Sequence, residues 1–337
     1  MNIIFETVSR GQLPEIREFL IRAFQAAPGS IFEHPGYLEW KYFDERPDWM
    51  GPRSFVLRND GEIIAHCSNC PIAFFTTRGR ITAQHSLDWA STVPSGGIMI
   101  WRRMYELSDV FIGIDGSTAA QRVLAGLRNF RRIGEQDYFV RVIRPLRFSR
   151  ERFASGGWKE IMRAGRNFAR LAEPWAAVPS GWSLTPVDKV GPEVDQLVAE
   201  SRFGSFIAPE RSSSLLNYLL ACPIGNMRAW ILRDHGRLRG WAMVNVLGQE
   251  ARIVDLWLDS EIQTDWEGLI ALASITAGAD VALVSVTAVA PFLKAAASAN
   301  HLRVASSGPV CLHDPKKLLD SAPPINFHAV DGDQAYA

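Results

Sequence analysis

The chain has 337 residues, 47% of them hydrophobic, and its 36 Lys and Arg are balanced by 36 Asp and Glu. That length calls for two units of about 150 residues, a net charge of zero excludes nucleic-acid binding through bulk charge, and no apolar run approaches the roughly 18 residues of a membrane span. Four cysteines make no disulfide scaffold at this length, and the start Met1-Asn2-Ile3-Ile4-Phe5-Glu6 lacks the pattern of a secretion signal, so the expected compartment is the cytoplasm.

In chain order, Ile3 to Val8 reads as a strand, and Gly11 to Ala27 as an amphipathic helix with Leu13, Ile16, Phe19, Leu20 and Phe24 on one stripe. A short aromatic segment, Tyr37 to Phe43, ends at Arg46-Pro47. Two strands flank Asp60-Gly61, a tight polar turn. A turn at Arg78-Gly79-Arg80 leads into a strand from Ile81 to Val93, which Pro94-Ser95-Gly96-Gly97 breaks. A helix from Ile98 to Leu107, a strand from Asp109 to Ile114, a helix from Ser117 to Phe130 and a strand from Tyr138 to Ile143 complete a unit over 1–150.

Residues 151–182 read as a connector. Its helix, Phe153 to Leu171, carries Trp158, Ile161, Met162 and Phe168 on one side and Lys159, Arg163, Arg166 and Arg170 on the other. We expect it to pack between the two units; a membrane-surface role is the alternative. After the Pro174 to Trp182 linker, a second unit spans 183–315, with helices near Val194 to Ser201 and Ser212 to Ala221, strands around Gly236, and strands at Ala251 to Leu258 and Val281 to Ser285. The polar, Pro-containing tail 316–337 reads as a loosely attached appendage.

The two units echo each other. Leu57-Arg58-Asn59-Asp60-Gly61 matches Leu232-Arg233-Asp234-His235-Gly236, with the glycines 175 residues apart. Ser86-Leu87-Asp88-Trp89 matches Ile253-Val254-Asp255-Leu256, with the aspartates 167 apart, and the helix ends at residues 130 and 302 lie 172 apart. Near-constant spacing of this kind indicates a duplicated fold. Charge is uneven over it: Arg122 to Arg170 holds 13 Lys and Arg against 4 Asp and Glu.

Gly96 and Gly97 stand where a strand turns into a helix. Free amides and the positive end of the helix dipole converge there, a setting suited to a pyrophosphate. The element order, the strand ending at Val93-Pro94, the Ser95-Gly96-Gly97 turn and the pair Asn129-Phe130 resemble the GNAT acyltransferase family. That resemblance implies an α+β (α/β) protein of two tandem GNAT folds, each a mixed, mostly antiparallel sheet flanked by helices. It implies acetyl-CoA or another acyl-CoA as co-substrate over Val93, Ser95, Gly96, Gly97, Ile98 and Met99, with the basic 122–170 stretch available to its 3′-phosphate. The loop has fewer glycines than the family pattern and no Arg. In the second unit no glycine precedes Gly268 after Asp255, and Asp259, Glu261, Asp265 and Glu267 would repel an anion. That copy is expected to have lost the site.

Transfer of an acyl group to an amine needs a base. The family often places an acidic residue on the fourth strand, which makes Asp88 the preferred base, with His85 as a second candidate. On a regular strand Asp88 and His85 face opposite sides, and a bulge would change that. The family's Tyr acid falls at Ala125 here; Ser117, Tyr138 and Tyr105 are substitutes, as is water. Tyr37, Trp40, Tyr42 and Phe43 read as core or as acceptor-side aromatics. Cys67 and Cys70 read as buried thiols, and no metal site is expected.

The reading is an acyl-CoA-dependent N-acyltransferase acting on an amine of a small molecule, sugar or peptide, with no nucleic-acid partner and no membrane span; self-association is left open. The alternatives are a non-catalytic tandem GNAT-fold protein that binds a ligand or partner, and an aminoacyl transferase of the peptidoglycan type.

Overall fold

The computed structural model describes residues 3–76, 79–127, 130–152, 158–320 and 322–336. The first half runs β1 (Ile3–Thr7), α1 (Leu13–Phe24), α2 (Tyr37–Tyr42), β2 (Ser54–Asn59), β3 (Glu62–Thr76), β4 (Gly79–Ser91), α3 (Gly96–Met104), β5 (Val110–Ile114), α4 (Thr118–Gly126) and β6 (Phe130–Val142). Helices α5 (Pro145–Arg152) and α6 (Trp158–Arg170) follow. The second half repeats the order: β7 (Trp182–Val187), α7 (Glu193–Glu200), α8 (Ser213–Leu220), β8 (Asn226–Asp234), β9 (Arg237–Leu247), β10 (Glu250–Leu258), α9 (Gln263–Ala277), β11 (Leu283–Ala288), α10 (Pro291–Ala299) and β12 (Arg303–His313).

Local chemistry explains the elements that the sequence marks most clearly. The apolar stripe of α1 buries Ile16, Phe19 and Leu20, and the helix stops at Gln25 in the left-handed region. Both hairpins turn on a pair of positive φ angles, 50° and 90° at Asp60-Gly61 and 47° and 89° at His235-Gly236. That is the backbone a two-residue turn requires, and Gly adopts it without a Cβ clash.

The twelve strands among the described residues join one mixed sheet in the order β1-β2-β3-β4-β5-β12-β6-β11-β10-β9-β8-β7. The order is palindromic about the β12–β6 pair. Strand β12 lies between β5 and β6, and β6 lies between β12 and β11, so each half's last strand borders the other half's fifth. On one face α3 and α4 cover the first half around Trp101, and α9 and α10 cover the second around Trp266. On the other face α1, α2, α7 and α8 share one core. There Trp40 stacks on Tyr218 at 5.0 Å and donates from its indole N–H to the Tyr218 carbonyl at 3.1 Å.

Three expectations need correction. Phe130 opens strand β6 and does not close a helix, because α4 ends at Gly126; Asn129, like Arg78 and Phe153, lies outside the described residues. The connector helix does not bury its apolar side between the halves: Trp158, Met162 and Phe168 are exposed. The side chains of Lys159 and Ile161 are likewise outside the description.

The tail is no loose appendage either. Ile325, Phe327, Ala329, Val330 and Tyr336 are buried, the Tyr336 ring meets Trp40 edge-on at 5.1 Å, and Asn326 donates its amide to the Ile207 carbonyl at 2.8 Å. Apolar residues spaced through a polar segment supply this anchorage, and a reading by average polarity misses them.

Candidate functional site

Strands β4 and β5 run parallel and pair only from Ala83–Val110 to His85–Ile112. Beyond that point they part. On the other edge of β4, Ser68 pairs with Leu87 and His66 with Ala90, so Asp88 and Trp89 together face Cys67. This is a β-bulge, and Asp88 sits in it with φ of 48°. The extra residue resets the alternation, and His85 and Asp88 both line the cleft that opens between the strands. The cleft has a volume of about 380 Å³. Its walls include Trp89 and Asp115, with Ser117 at the start of α4, Tyr37 and Lys41 from α2, and Asp333 from the tail.

Asp88 is engaged through one carboxylate oxygen. Its Oδ2 receives Lys41 Nζ at 2.7 Å, the Tyr42 hydroxyl at 2.6 Å and the Ser68 hydroxyl at 3.0 Å. Burial alone would raise its pKa, but the Lys41 charge and the hydrogen bonds from Lys41 and Tyr42 outweigh that and hold it below the usual carboxylate value. A carboxylate so stabilised is a poor proton acceptor. Burial is the largest single influence on Lys41 and lowers its pKa, but the charges of Asp88, Tyr37, Asp333 and Tyr42 together outweigh it, so Lys41 stays charged; Asp333 lies 3.7 Å away.

His85 is in the opposite condition. It is 3% exposed, and its Nδ1 lies 3.0 Å from the Ile112 carbonyl. A carbonyl can only accept, so Nδ1 carries the proton and Nε2 keeps its lone pair. Nε2 has no hydrogen-bond partner among the described residues, and burial lowers the imidazole pKa. Asp115, beside it, is raised by burial and by the charge of Asp333.

The remaining predicted residues divide between those in this cleft and those away from it. Ser117 lines it; its oxygen caps α4 by accepting the Ala120 amide at 3.2 Å, which leaves its own proton available to donate. Tyr138 lies elsewhere, on β6, with its hydroxyl donating to Glu250 and its pKa pushed up to about 12 by burial and that carboxylate. Tyr105 packs against Trp101, Phe111 and His313. Trp40 and Tyr42 are core, whereas Tyr37 borders the cleft. Cys67 and Cys70 are buried free thiols, and no group of three or more potential ligands for a metal occurs among the described residues.

The α3 entrance forms as a turn with Ser95 in the left-handed region at φ of 67°. Val93, Ser95 and Met99 are exposed, and Gly97 and Ile98 partly so. The Gly96 amide is used by the Val93 carbonyl at 3.3 Å, and that of Met99 by Ser95 at 3.0 Å. Those of Gly97 and Ile98 have no partner among the described residues. Two unbonded amides at a helix start fit one phosphate group, with no side-chain cation from Ser91 to Trp101 to assist. Trp89 joins this turn to the cleft: it lines the cleft and donates from Nε1 to the Gly97 carbonyl at 2.7 Å.

The second half repeats part of this construction with a different outcome. Strand β10 bulges at Val254, next to Asp255. Asp255 accepts from Arg211 at 2.9 Å and from Trp241 Nε1 at 2.8 Å, and Arg211 also holds Asp331 at 2.9 Å. Arg211 and Lys41 are 170 residues apart, close to the spacing of the aspartates they pair with. All three members of the Arg211 cluster are buried.

A cavity of about 990 Å³ lies beside it, walled by Phe203, Phe206 and Trp257. Its charged lining groups are occupied: Asp195 by Ser213, Glu210 by Arg80 and Asp320 by Arg131.

Sequence reasoning missed Lys41, Asp115 and Asp333. The repeat spacing that ties Lys41 to Arg211 was the signal available for the first; Asp333 has none, because the tail's return to the sheet is a long-range event.

No family model matches the sequence, and no curated protein matches it. Solved structures do. A GCN5-related N-acetyltransferase from Anabaena variabilis superposes with a TM-score of 0.60 at 10% identity, over 92% of this chain and 72% of that one. Saccharomyces cerevisiae N-myristoyltransferase with bound myristoyl-CoA gives 0.59 at 11% identity, over 93% and 82%. A Pyrococcus horikoshii protein assigned as an acetyltransferase gives 0.57 at 11%, over 99% and 96%. With its parted β4–β5 pair and its element order, this chain has the fold of the GNAT superfamily.

Proposed function

We propose that the protein is an acyl-CoA-dependent N-acyltransferase with its working site in the first half. The observation that carries this reading is the open Nε2 of His85 in the cleft between β4 and β5, joined through Trp89 to a helix start with two unbonded amides. In this reading the amides of Gly97 and Ile98 bind the carrier's pyrophosphate. The acceptor amine forms a C–N bond to the thioester carbonyl carbon, and the C–S bond breaks. His85 Nε2 takes the amine proton, and Ser117 or a water returns one to the departing thiolate. Lys41, fixed by Asp88, places positive charge in the cleft. Asp88 is then a positioning residue and not the base. The second half is a degenerate copy in this account, its cation–aspartate pair closed by Asp331. Acetyl and longer acyl groups are both compatible with the reading.

Calorimetric titration of the full chain with acetyl-CoA and myristoyl-CoA tests it. A side chain at position 97 would put its Cβ 3.1 Å from Trp89 Nε1. Gly97→Val is therefore expected to lower affinity for whichever thioester binds by at least about tenfold while the chain stays folded. Binding of neither thioester by the parent protein would remove the proposal.

A further inference from the structure

Helix α6 stands out because its apolar side is left uncovered. Trp158 is 70% exposed, Met162 64% and Phe168 45%, while Asn167 is buried and Ala164 half-buried. At about 100° per residue, the three large apolar side chains share an arc of roughly 120°. Arg163, Arg166 and Arg170 occupy the neighbouring arc, about 40° beyond Met162. The helix rests on the protein through the side that bears Asn167. It therefore presents an apolar stripe and a basic stripe side by side along a length of about 20 Å. Its sequence holds four basic residues and a single acid, Glu160.

We propose that this face seats the protein on an anionic lipid surface, with α6 lying in the plane of the headgroups. Charge complementarity selects that occupant. Aromatic and thioether side chains enter the acyl boundary while the adjacent guanidinium groups meet lipid phosphates. A second copy would bring two basic helices together, and like charge opposes that pairing. Among the described residues no helix is long and apolar enough to cross a membrane, so the contact is peripheral.

The test is co-sedimentation of the full chain with vesicles of phosphatidylcholine alone or mixed with phosphatidylserine. Binding is expected only to the mixed vesicles and should weaken as salt rises, because surface charges are screened. Met162→Glu, and the pair Arg166→Glu with Arg170→Glu, should each weaken binding about tenfold or more without changing the thermal unfolding midpoint. Equal binding to both kinds of vesicle, no binding at low salt, or variants that bind like the parent would overturn the proposal. So would a dimer in ultracentrifugation that Met162→Glu dissolves, or binding of polyglutamate that ignores Met162; these outcomes assign the face to a second copy or to an acidic protein.

Discussion

A single hydrogen bond decides what the His85 imidazole can do. With Nδ1 held by the Ile112 carbonyl, the ring has one open nitrogen, and burial favours the neutral form that can accept a proton there. Lys41 pushes the pKa further down, whereas the Ile112 carbonyl and the charges of Asp333 and Asp331 pull it up, with burial the largest influence. The base form therefore exists above a pKa that lies below the ordinary 6.5 of histidine. If His85 is the base, kcat/KM for acyl transfer rises with pH on an acid limb below 6.5 and is flat at 7. His85→Ala should erase that limb and lower kcat by about a hundred- to ten-thousand-fold. A stopped assay of thiol release across pH checks this; an unchanged limb in the variant removes His85 from the chemistry. Position 85 was legible as a candidate, but the precedence over Asp88 that the proposed function gives it was not. Both lie on the strand that the family resemblance singles out, and only the bulge and the Lys41 ion pair, neither visible in the residue order, separate their roles.

At the scale of elements, the bulge in β4 and helix α2 form one device. The bulge turns Asp88 toward α2, and α2 delivers Lys41 and Tyr42 to the same carboxylate. Both partners of the ion pair are buried, at 8% and 6% side-chain exposure. Removing one leaves the other charged and unpaired, which typically costs about 3–5 kcal/mol, whereas replacing both by apolar groups is far milder. Lys41→Met should accordingly lower the urea midpoint strongly, and Lys41→Met with Asp88→Leu should recover much of the loss. A double variant no more stable than the single would show that Asp88 is held mainly by Tyr42 and Ser68. The element order, the two I′-like turns and the α1 stripe could all be read from local pattern, because each is set by neighbours in sequence. The end of α4 could not. Its apolar pattern runs on toward Phe130, and the competing claim on Phe130, a place in β6 beside His313 of β12, comes from 183 residues away.

At the scale of the molecule, the exchange of last strands makes two similar halves into one body. Separating them would strip β12 from β5 and β6 from β11, leaving unpaired strand edges at the centre of the sheet. The tail adds a second tie. Asp331 reaches Arg211 in one half and Asp333, two residues on, reaches Lys41 in the other. The repeated order of elements was readable from spacing alone, but a repeat offset carries no information about which half a strand joins. The exchange predicts that heat unfolds the chain in one cooperative transition, with the calorimetric enthalpy matching the van't Hoff value. It also predicts that residues 1–150, expressed alone, lack a stable fold, since β5 then has no partner on its far side and β6 has lost both of its neighbours. Two resolved transitions, or a folded and monomeric 1–150 fragment, would show that each half closes its own sheet and that the shared strands are incidental to stability.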